Sequence, residues 1–349
     1  MRTLEQLVCP HILNMEAYSS ARSEFKGKAS IFLDANENTI RTTYNRYPDP
    51  LQANLKQAIE PLVQLNQEQI FLGNGSDEAI DLLMRIFCIG GQDAILTLPP
   101  TYGMYNVSAS LNAIKNIEIP LDANYQPNVA AVLAAQNERT KILFICSPNN
   151  PTGNDVDLEK IEQLIEGFDG IVVVDEAYIH FSTQASCVQW IGKNPNLVVL
   201  QTFSKAWGMA GIRLGMALAN AEIIQLFNKV KPPYNVNVLT QEYALGQLQD
   251  LRIFKEDVAN ILVEREELIT QLSALKFVIK IYPSAANFLL IKVEAANQIY
   301  QYLVEQGIII RNRSRVLLCD NCLRITVGTK QENAVLMQRL KAYSKTILV

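Results

Sequence analysis

Leu197-Val-Val-Leu-Gln-Thr-Phe-Ser-Lys-Ala-Trp-Gly-Met-Ala-Gly-Ile-Arg213 is the stretch that decides how this chain folds. Its opening run, Leu197 to Leu200, is apolar without alternation, as in a strand buried on both faces of a parallel sheet. The run ends in two hydroxyls, Thr202 and Ser204, and then one lysine, Lys205. Lysine is rarely fully buried unless paired. Here it stands just past a buried strand, where open α/β sheets place their ligands. Gly208 and Gly211 would let the backbone approach something closely, and Arg213 follows eight residues after the lysine.

Outward from this stretch, residues 68 to 230 alternate strand and helix signals, the mark of a mostly parallel sheet. Strands are predicted over 69–72, 94–98, 114–119, 141–146, 171–174 and 197–203, with a further one over 214–219. Ala79 to Phe87 has apolar residues on one helical face. Helices then fill 221 to 275, and the run Phe254 to Leu275 is long enough to bridge two domains. Beyond it the rhythm changes to strands over 277–282, 287–293, 308–311 and 323–327, with helices over 295–306 and 330–345. Thr329-Lys-Gln-Glu332 reads as a capping box opening the last helix. The expected class is α/β: a large domain with a mostly parallel central sheet flanked by helices, plus a smaller α+β domain. The expected boundaries are an arm over 1–40 joining the small domain, a large domain over 41–250 and a C-terminal small domain over 251–349. Within the arm, Ile31-Phe-Leu33 reads as a short strand.

A length of 349 residues with 49% hydrophobic residues supports a sizeable core. A net charge of −4 argues against a nucleic-acid binder, which needs a broad basic face. No apolar run reaches the length of a membrane span, and the first residues lack the apolar core of a signal peptide, so a cytoplasmic location is expected. Cys88, Cys146 and Cys187 sit in apolar surroundings and read as small core residues. Cys319-Asp-Asn-Cys322 has the spacing of a metal or redox site, but a zinc site needs two more ligands and the two histidines lie far off. Reduced loop thiols and no metal are the expectation.

Three strands end in polar groups the core does not need. Strand 141–146 runs into Ser147-Pro-Asn-Asn150-Pro-Thr-Gly153, strand 171–174 into Asp175-Glu-Ala-Tyr178, and strand 197–203 into Ser204-Lys205. In a parallel sheet these ends share one edge, so Asn150, Asp175, Tyr178 and Lys205 can converge. Singly, each has a plain structural explanation: a turn, a helix cap, a solvated charge. Together, in this order, they suit a ligand carrying an aldehyde and a phosphate, which is pyridoxal phosphate. Lys205 would condense with the aldehyde and, when released, act as general base. Asp175 would keep the ring nitrogen protonated. Asn150 and Tyr178 would hydrogen-bond the ring 3-oxygen. Tyr102 either stacks on the ring or is a core aromatic in a turn. Gly75, Ser76 and Asp77 open the 79–87 helix with free N–H groups for the phosphate, joined by Thr202, Ser204 and Arg213.

These motifs make the chain resemble the fold-type I pyridoxal-phosphate aminotransferases, and among them the histidinol-phosphate aminotransferase family. The resemblance runs nearly end to end, through Asp34-Ala-Asn-Glu-Asn38, Arg46-Tyr-Pro-Asp-Pro50, Gly73 to Glu78, Pro100 to Tyr105, Ser147 to Gly153, Val174 to Tyr178, Thr202 to Gly215 and Leu323 to Gly328. It implies a homodimer in which Tyr47 crosses to the partner's cofactor phosphate. It also implies that Arg324, with Arg311, Tyr18 and Asn36, holds the substrate, the phosphate of histidinol phosphate in one half-reaction and glutamate or 2-oxoglutarate in the other. No motif marks an imidazole pocket. Rivals on the same fold are an aromatic amino-acid aminotransferase and a threonine-phosphate decarboxylase. A nicotinamide-dependent dehydrogenase is disfavoured because no G-x-G-x-x-G follows the first strand. A non-catalytic regulator would need an appended DNA-binding module or basic patch, and neither is present.

Overall fold

The computed structural model describes residues 2–18, 25, 27, 29–40 and 43–346. Seven strands pair into one sheet: β1 (Ile70–Asn74), β2 (Ala94–Thr97), β3 (Lys115–Glu118), β4 (Thr140–Cys146), β5 (Ile171–Asp175), β6 (Leu197–Thr202) and β7 (Leu214–Ala219). Their order is β1-β7-β6-β5-β4-β2-β3. Strands β3, β2, β4, β5 and β6 run parallel, and β7 runs antiparallel to both of its neighbours. The reversal at β7 has a simple cause. Residues 203–213 are too few for the crossover helix that a parallel return requires, so the chain turns straight back beside β6. The turn that makes this reversal is the one carrying Lys205.

Side chains alternate across the sheet as a two-residue period demands. Leu72, Leu96, Leu143, Val172, Val174 and Val199 face one core, and Phe71, Ile95, Ile142, Phe144, Val173 and Val198 face the other. Both faces are covered, which is why these strands read as unbroken apolar runs. Each such side chain fully buried stabilises the fold by about 1.5–3 kcal/mol. A core of this size can hold the few buried polar groups at the strand ends. Helix Ser76–Phe87 starts directly after β1 and sinks Ile80, Leu83 and Phe87 into the second core.

The second sheet is antiparallel, in the order β10-β11-β9-β8, with β8 (Val278–Ile281), β9 (Phe288–Val293), β10 (Arg311–Asn312) and β11 (Cys322–Thr326). Helix Leu251–Ser273 bridges the two parts, as its length led one to expect. Phe254, Val258 and Ile261 pack with Tyr178, Ala206 and Phe288, while Leu268 and Leu272 enter the core of the second sheet. The capping box forms: Thr329 N donates to Glu332 Oε2 at 2.8 Å and Glu332 N to Thr329 Oγ1 at 3.3 Å.

Two expected strands are corrected. Residues 31–33 form no strand, Phe32 O instead accepts from Arg46 Nη1 at 3.1 Å, and Ile31 and Leu33 are exposed. The predicted strand over 308–311 shrinks to Arg311–Asn312, because Ile308 N donates to Leu303 O at 2.8 Å to finish the preceding helix behind Gly307 at φ 75°. The expectation of loop thiols at 319 and 322 also needs amendment. Both cysteines are free but fully buried, and Cys322 N donates to Cys319 O in a turn that leads into β11. Among the described residues no cluster could hold a metal ion. None of the described helices is long and apolar enough to cross a membrane.

Candidate active site

The carboxyl ends of β4, β5 and β6, the start of helix Ser76–Phe87 and the hairpin of β10 and β11 surround one cavity of about 600 Å³. It is lined by Gly75, Ser76, Asp77, Tyr102, Asn150, Asp175, Tyr178, Thr202, Ser204, Lys205, Arg213, Arg311 and Arg324, thirteen of the sixteen residues singled out from sequence. The other three, Tyr18, Asn36 and Tyr47, are exposed and do not line it. Tyr47 instead stacks on Tyr234 with ring centroids 4.4 Å apart.

At the floor, Asp175 ends β5 with its carboxylate buried. Burial pushes its pKa up to about 6, against the pull of two donors: Tyr105 Oη to Oδ2 at 2.7 Å and Ala177 N to Oδ1 at 3.1 Å. Neither donor is cationic, so among the described residues the buried carboxylate has no counter-ion in hydrogen-bond contact. That unmet demand is what a protonated ring nitrogen satisfies. Tyr105 was not assigned a role from sequence. It is fully buried and stacked on Phe144 at 4.5 Å, so the core aromatic of the Pro99–Tyr105 turn is Tyr105. Tyr102 sits on the cavity wall, edge-on to Tyr105, and donates to Asp77 Oδ1 at 3.0 Å.

Lys205 is half-buried, with Nζ 5.6 Å from the centroid of the Tyr178 ring. Burial, then the charge of Arg324, hold its pKa below the usual lysine value, while Asp175 and Asp77 oppose. A lowered pKa makes the neutral amine, the form that attacks a carbonyl, more accessible. Next to Asp175, Glu176 is also buried. It accepts from Ser186 Oγ at 2.6 Å, Cys187 N at 2.7 Å and Gln201 Nε2 at 2.9 Å, which anchors the segment leading to Tyr178.

One end of the cavity is built to cradle an anion. Gly75 has φ 73°, and its N–H donates to Arg213 O at 2.8 Å. Arg213 itself is left-handed at φ 56°, which turns its guanidinium over Gly75, with Nη2 3.6 Å from Asp77 Oδ2. A Cβ at 75 would come within 2.8 Å of that guanidinium, and one at 215 within 2.2 Å of Ser76 N. The glycines that matter for close approach are therefore 75 and 215. A Cβ at 208 or 211 meets no protein atom within 4 Å. Ser204 N donates to Thr202 Oγ1 at 3.1 Å, which fixes the loop that lines the same end.

The side of the cavity formed by β10 and β11 is cationic. Arg311 and Arg324 are directly paired across β10 and β11. Arg324 Nη1 donates to Asn150 Oδ1, its guanidinium lies 5.2 Å from the Phe288 ring centroid, and burial lowers its pKa to about 10. Arg313 joins them at the cavity and was missed from sequence, although the Arg-Asn-Arg alternation at 311–313 carries the signal. Among the described residues none of these three guanidiniums has a carboxylate partner. Like charges set opposite each other on a sheet repel, so such a cluster fits a site whose neutralising anion is a ligand. A larger open groove of about 1340 Å³ shares Lys205 and Arg311 with this cavity but contains neither Asp175, Asn150 nor Tyr178.

Comparison with known proteins gives a consistent result. The family model for aminotransferase class I and II matches residues 21–340. A histidinol-phosphate aminotransferase of Parabacteroides distasonis is 52% identical over 341 residues, covering 98% of this chain and 99% of that protein. One of Cytophaga hutchinsonii is 51% identical over 345 residues, covering 98% and 99%. The crystal structure of the histidinol-phosphate aminotransferase from Clostridium acetobutylicum superposes with a TM-score of 0.79 at 26% identity, over 87% of this chain and 92% of that one.

Proposed function

We propose a reaction that proceeds from one premise: the chain belongs to the aminotransferase class I and II family. It is a pyridoxal-phosphate-dependent aminotransferase. Its reaction is transfer of an amino group between histidinol phosphate and 2-oxoglutarate, giving imidazole-acetol phosphate and glutamate, a step of histidine biosynthesis. The observation that carries the substrate choice is the cluster of guanidiniums lining the same cavity as Lys205, none of which has a carboxylate partner among the described residues. Relatives of that name at about half identity over nearly the whole chain support it.

The residues present fit the cofactor. A volume of about 600 Å³ lies within the usual range for ligand sites, and the counter-ion missing at Asp175 and the Gly75–Arg213 cradle match its two ends. When bound, pyridoxal phosphate supplies an aldehyde and a ring that withdraws electrons. Asp175 Oδ2 and Oδ1 would hold the proton on the ring nitrogen. Tyr178 and Asn150 would orient the ring 3-oxygen, and Tyr102 would cover the ring. Ser76 and Asp77 N–H, Thr202, Ser204 and Arg213 would take its phosphate. Lys205 Nζ would hold the aldehyde and, once freed as an amine, would carry the proton from the amine-bearing carbon of the substrate to the former aldehyde carbon. Arg324 and Arg311 hold the far anion of either substrate, the phosphate of histidinol phosphate or a carboxylate of glutamate.

The same proposal extends to assembly and location. A homodimer gives the exposed Ile31, Leu33, Ile40, Tyr44 and Tyr47 a partner surface and brings Tyr47, with Tyr18 and Asn36 of the arm, to the substrate and cofactor sites. Residues 41–250 and 251–349 are taken as the large and small domains. Six free, buried cysteines suit a reducing cytoplasm. The deciding experiment is a substrate panel with the purified holoenzyme and 2-oxoglutarate. Turnover of histidinol phosphate well above phenylalanine or tyrosine is expected. Strong turnover of phenylalanine with none of histidinol phosphate, or carbon dioxide release from threonine phosphate, would defeat the assignment.

A further inference from the structure

Arg313 is a third cation beyond the two that the reaction above uses. Its backbone is held on both sides. Arg313 N donates to Cys322 O at 2.9 Å, Val316 N donates to Arg313 O at 2.8 Å, and Asn312 Oδ1 accepts from Ser314 N at 2.9 Å. Two residues after Arg311, it falls on the same side of the extended chain, and it lines the cavity beside Arg311, Arg324, Asn150 and Tyr178. Its Nε is buried and makes no hydrogen bond among the described residues. Burial, and then the charge of Arg311, hold its pKa below the usual arginine value. A shielded, unmet donor on a half-buried cation is costly, and no carboxylate among the described residues relieves it.

Counting acceptor oxygens decides what relieves it. A carboxylate has two oxygens and one charge, and one guanidinium fork matches both oxygens. Arg324 and Arg311 already exceed that need. A phosphate monoester offers three free oxygens and a charge near −2, which leaves an acceptor for a further cation. We propose that Arg313 is the residue that makes this site prefer a phosphate monoester over a carboxylate. It binds the phosphate oxygen that Arg324 and Arg311 leave open and has no partner on the shorter anion. The inference rests on the assignment of a phosphate-bearing substrate and names the residue that discriminates it.

The test uses the holoenzyme, in which the cofactor occupies its own phosphate cradle, with wild type, Arg313→Gln and Arg313→Lys. Calorimetry measures the affinities of inorganic phosphate and succinate. Loss of one charge-assisted contact predicts that Arg313→Gln lowers the phosphate-to-succinate affinity ratio by about tenfold or more. Arg313→Lys, which keeps the charge but not the fork, should recover part of it. In parallel, the KM for histidinol phosphate should rise more than the KM for glutamate. An unchanged ratio overturns the proposal, whether both affinities fall alike or neither moves. So does a change confined to the visible absorption of the bound cofactor, which would place the action of Arg313 on Tyr178. A wild-type enzyme that does not turn over histidinol phosphate defeats the functional assignment instead, whatever the variants do.

Discussion

Replacing Tyr105 with phenylalanine removes one hydroxyl from the floor of the site and leaves the ring stacked on Phe144. That hydroxyl donates to Asp175 Oδ2 at 2.7 Å, deep in the core. A hydrogen bond to a charged group is worth about 1.5–3 kcal/mol net. At about 1.4 kcal/mol per pH unit, its loss raises the Asp175 pKa by about one to two pH units, from a value burial has already lifted from 3.8 to about 6. The sign follows from the raised pKa. In the apoprotein, Asp175 binds its proton more tightly than the unfolded chain does. Its contribution to stability is full below the ordinary value and is lost as pH rises through about 6, a swing of about 3 kcal/mol. In Tyr105→Phe that loss continues to higher pH. Holding a protonated ring nitrogen requires the ionised carboxylate, so the variant should need a higher pH to bind cofactor. The assay titrates apoprotein with pyridoxal phosphate across roughly pH 5 to 9 and compares the midpoints of the affinity profiles. An upward displacement of about one to two pH units is expected in the variant. Coincident midpoints would refute the link between Tyr105 and the charge state of Asp175.

Three further outcomes follow from the geometry. Lys205→Ala should abolish covalent retention of the cofactor: after borohydride treatment, intact mass should show the added cofactor on wild type alone, and equal addition to the variant would remove Lys205 from its role. Gly75→Ala forces a left-handed residue to carry a Cβ within 2.8 Å of Arg213 Nη2. Displacing that guanidinium should weaken cofactor binding by about tenfold in equilibrium dialysis, and unaltered affinity would show that the cradle does not hold the phosphate. Lys231 Nζ is buried and donates to Pro50 O at 2.8 Å, Pro233 O at 2.9 Å and Asn235 Oδ1 at 3.2 Å. Lys231→Met should strand these acceptors and cost about 2–4 kcal/mol in denaturant unfolding, which an unchanged midpoint would contradict.

How much of this was legible in sequence depends on where the deciding interaction lies. Strands β4, β5 and β6 announced themselves because both faces are buried, so the local pattern and the tertiary environment agree. The polar residues at their ends stood out against that background, and Lys205, Asp175 and Asn150 were expected to converge from their order at successive strand ends; all three line the same cavity. Tyr105 could not be found that way. Its partner Asp175 is seventy positions away, and a tyrosine following Pro-Pro-Thr-Tyr-Gly-Met looks the same whether or not its hydroxyl meets a carboxylate. Tyr102 and Tyr105 carry the same ring, and only their positions relative to Phe144 and Asp77 separate core from wall. The apolar run 308–310 failed for the opposite reason. It has the composition of a strand, but Gly307 in a left-handed turn commits Ile308 to closing the preceding helix, and the ladder begins only at Arg311. That late start has a chemical consequence. Arg311 opens the ladder directly opposite Arg324, and Arg313 follows where β10 ends, its N–H on Cys322 O. The guanidinium cluster thus depends on the register of this short hairpin, and a slip of β10 against β11 by one residue would turn both arginines to the other face of the sheet.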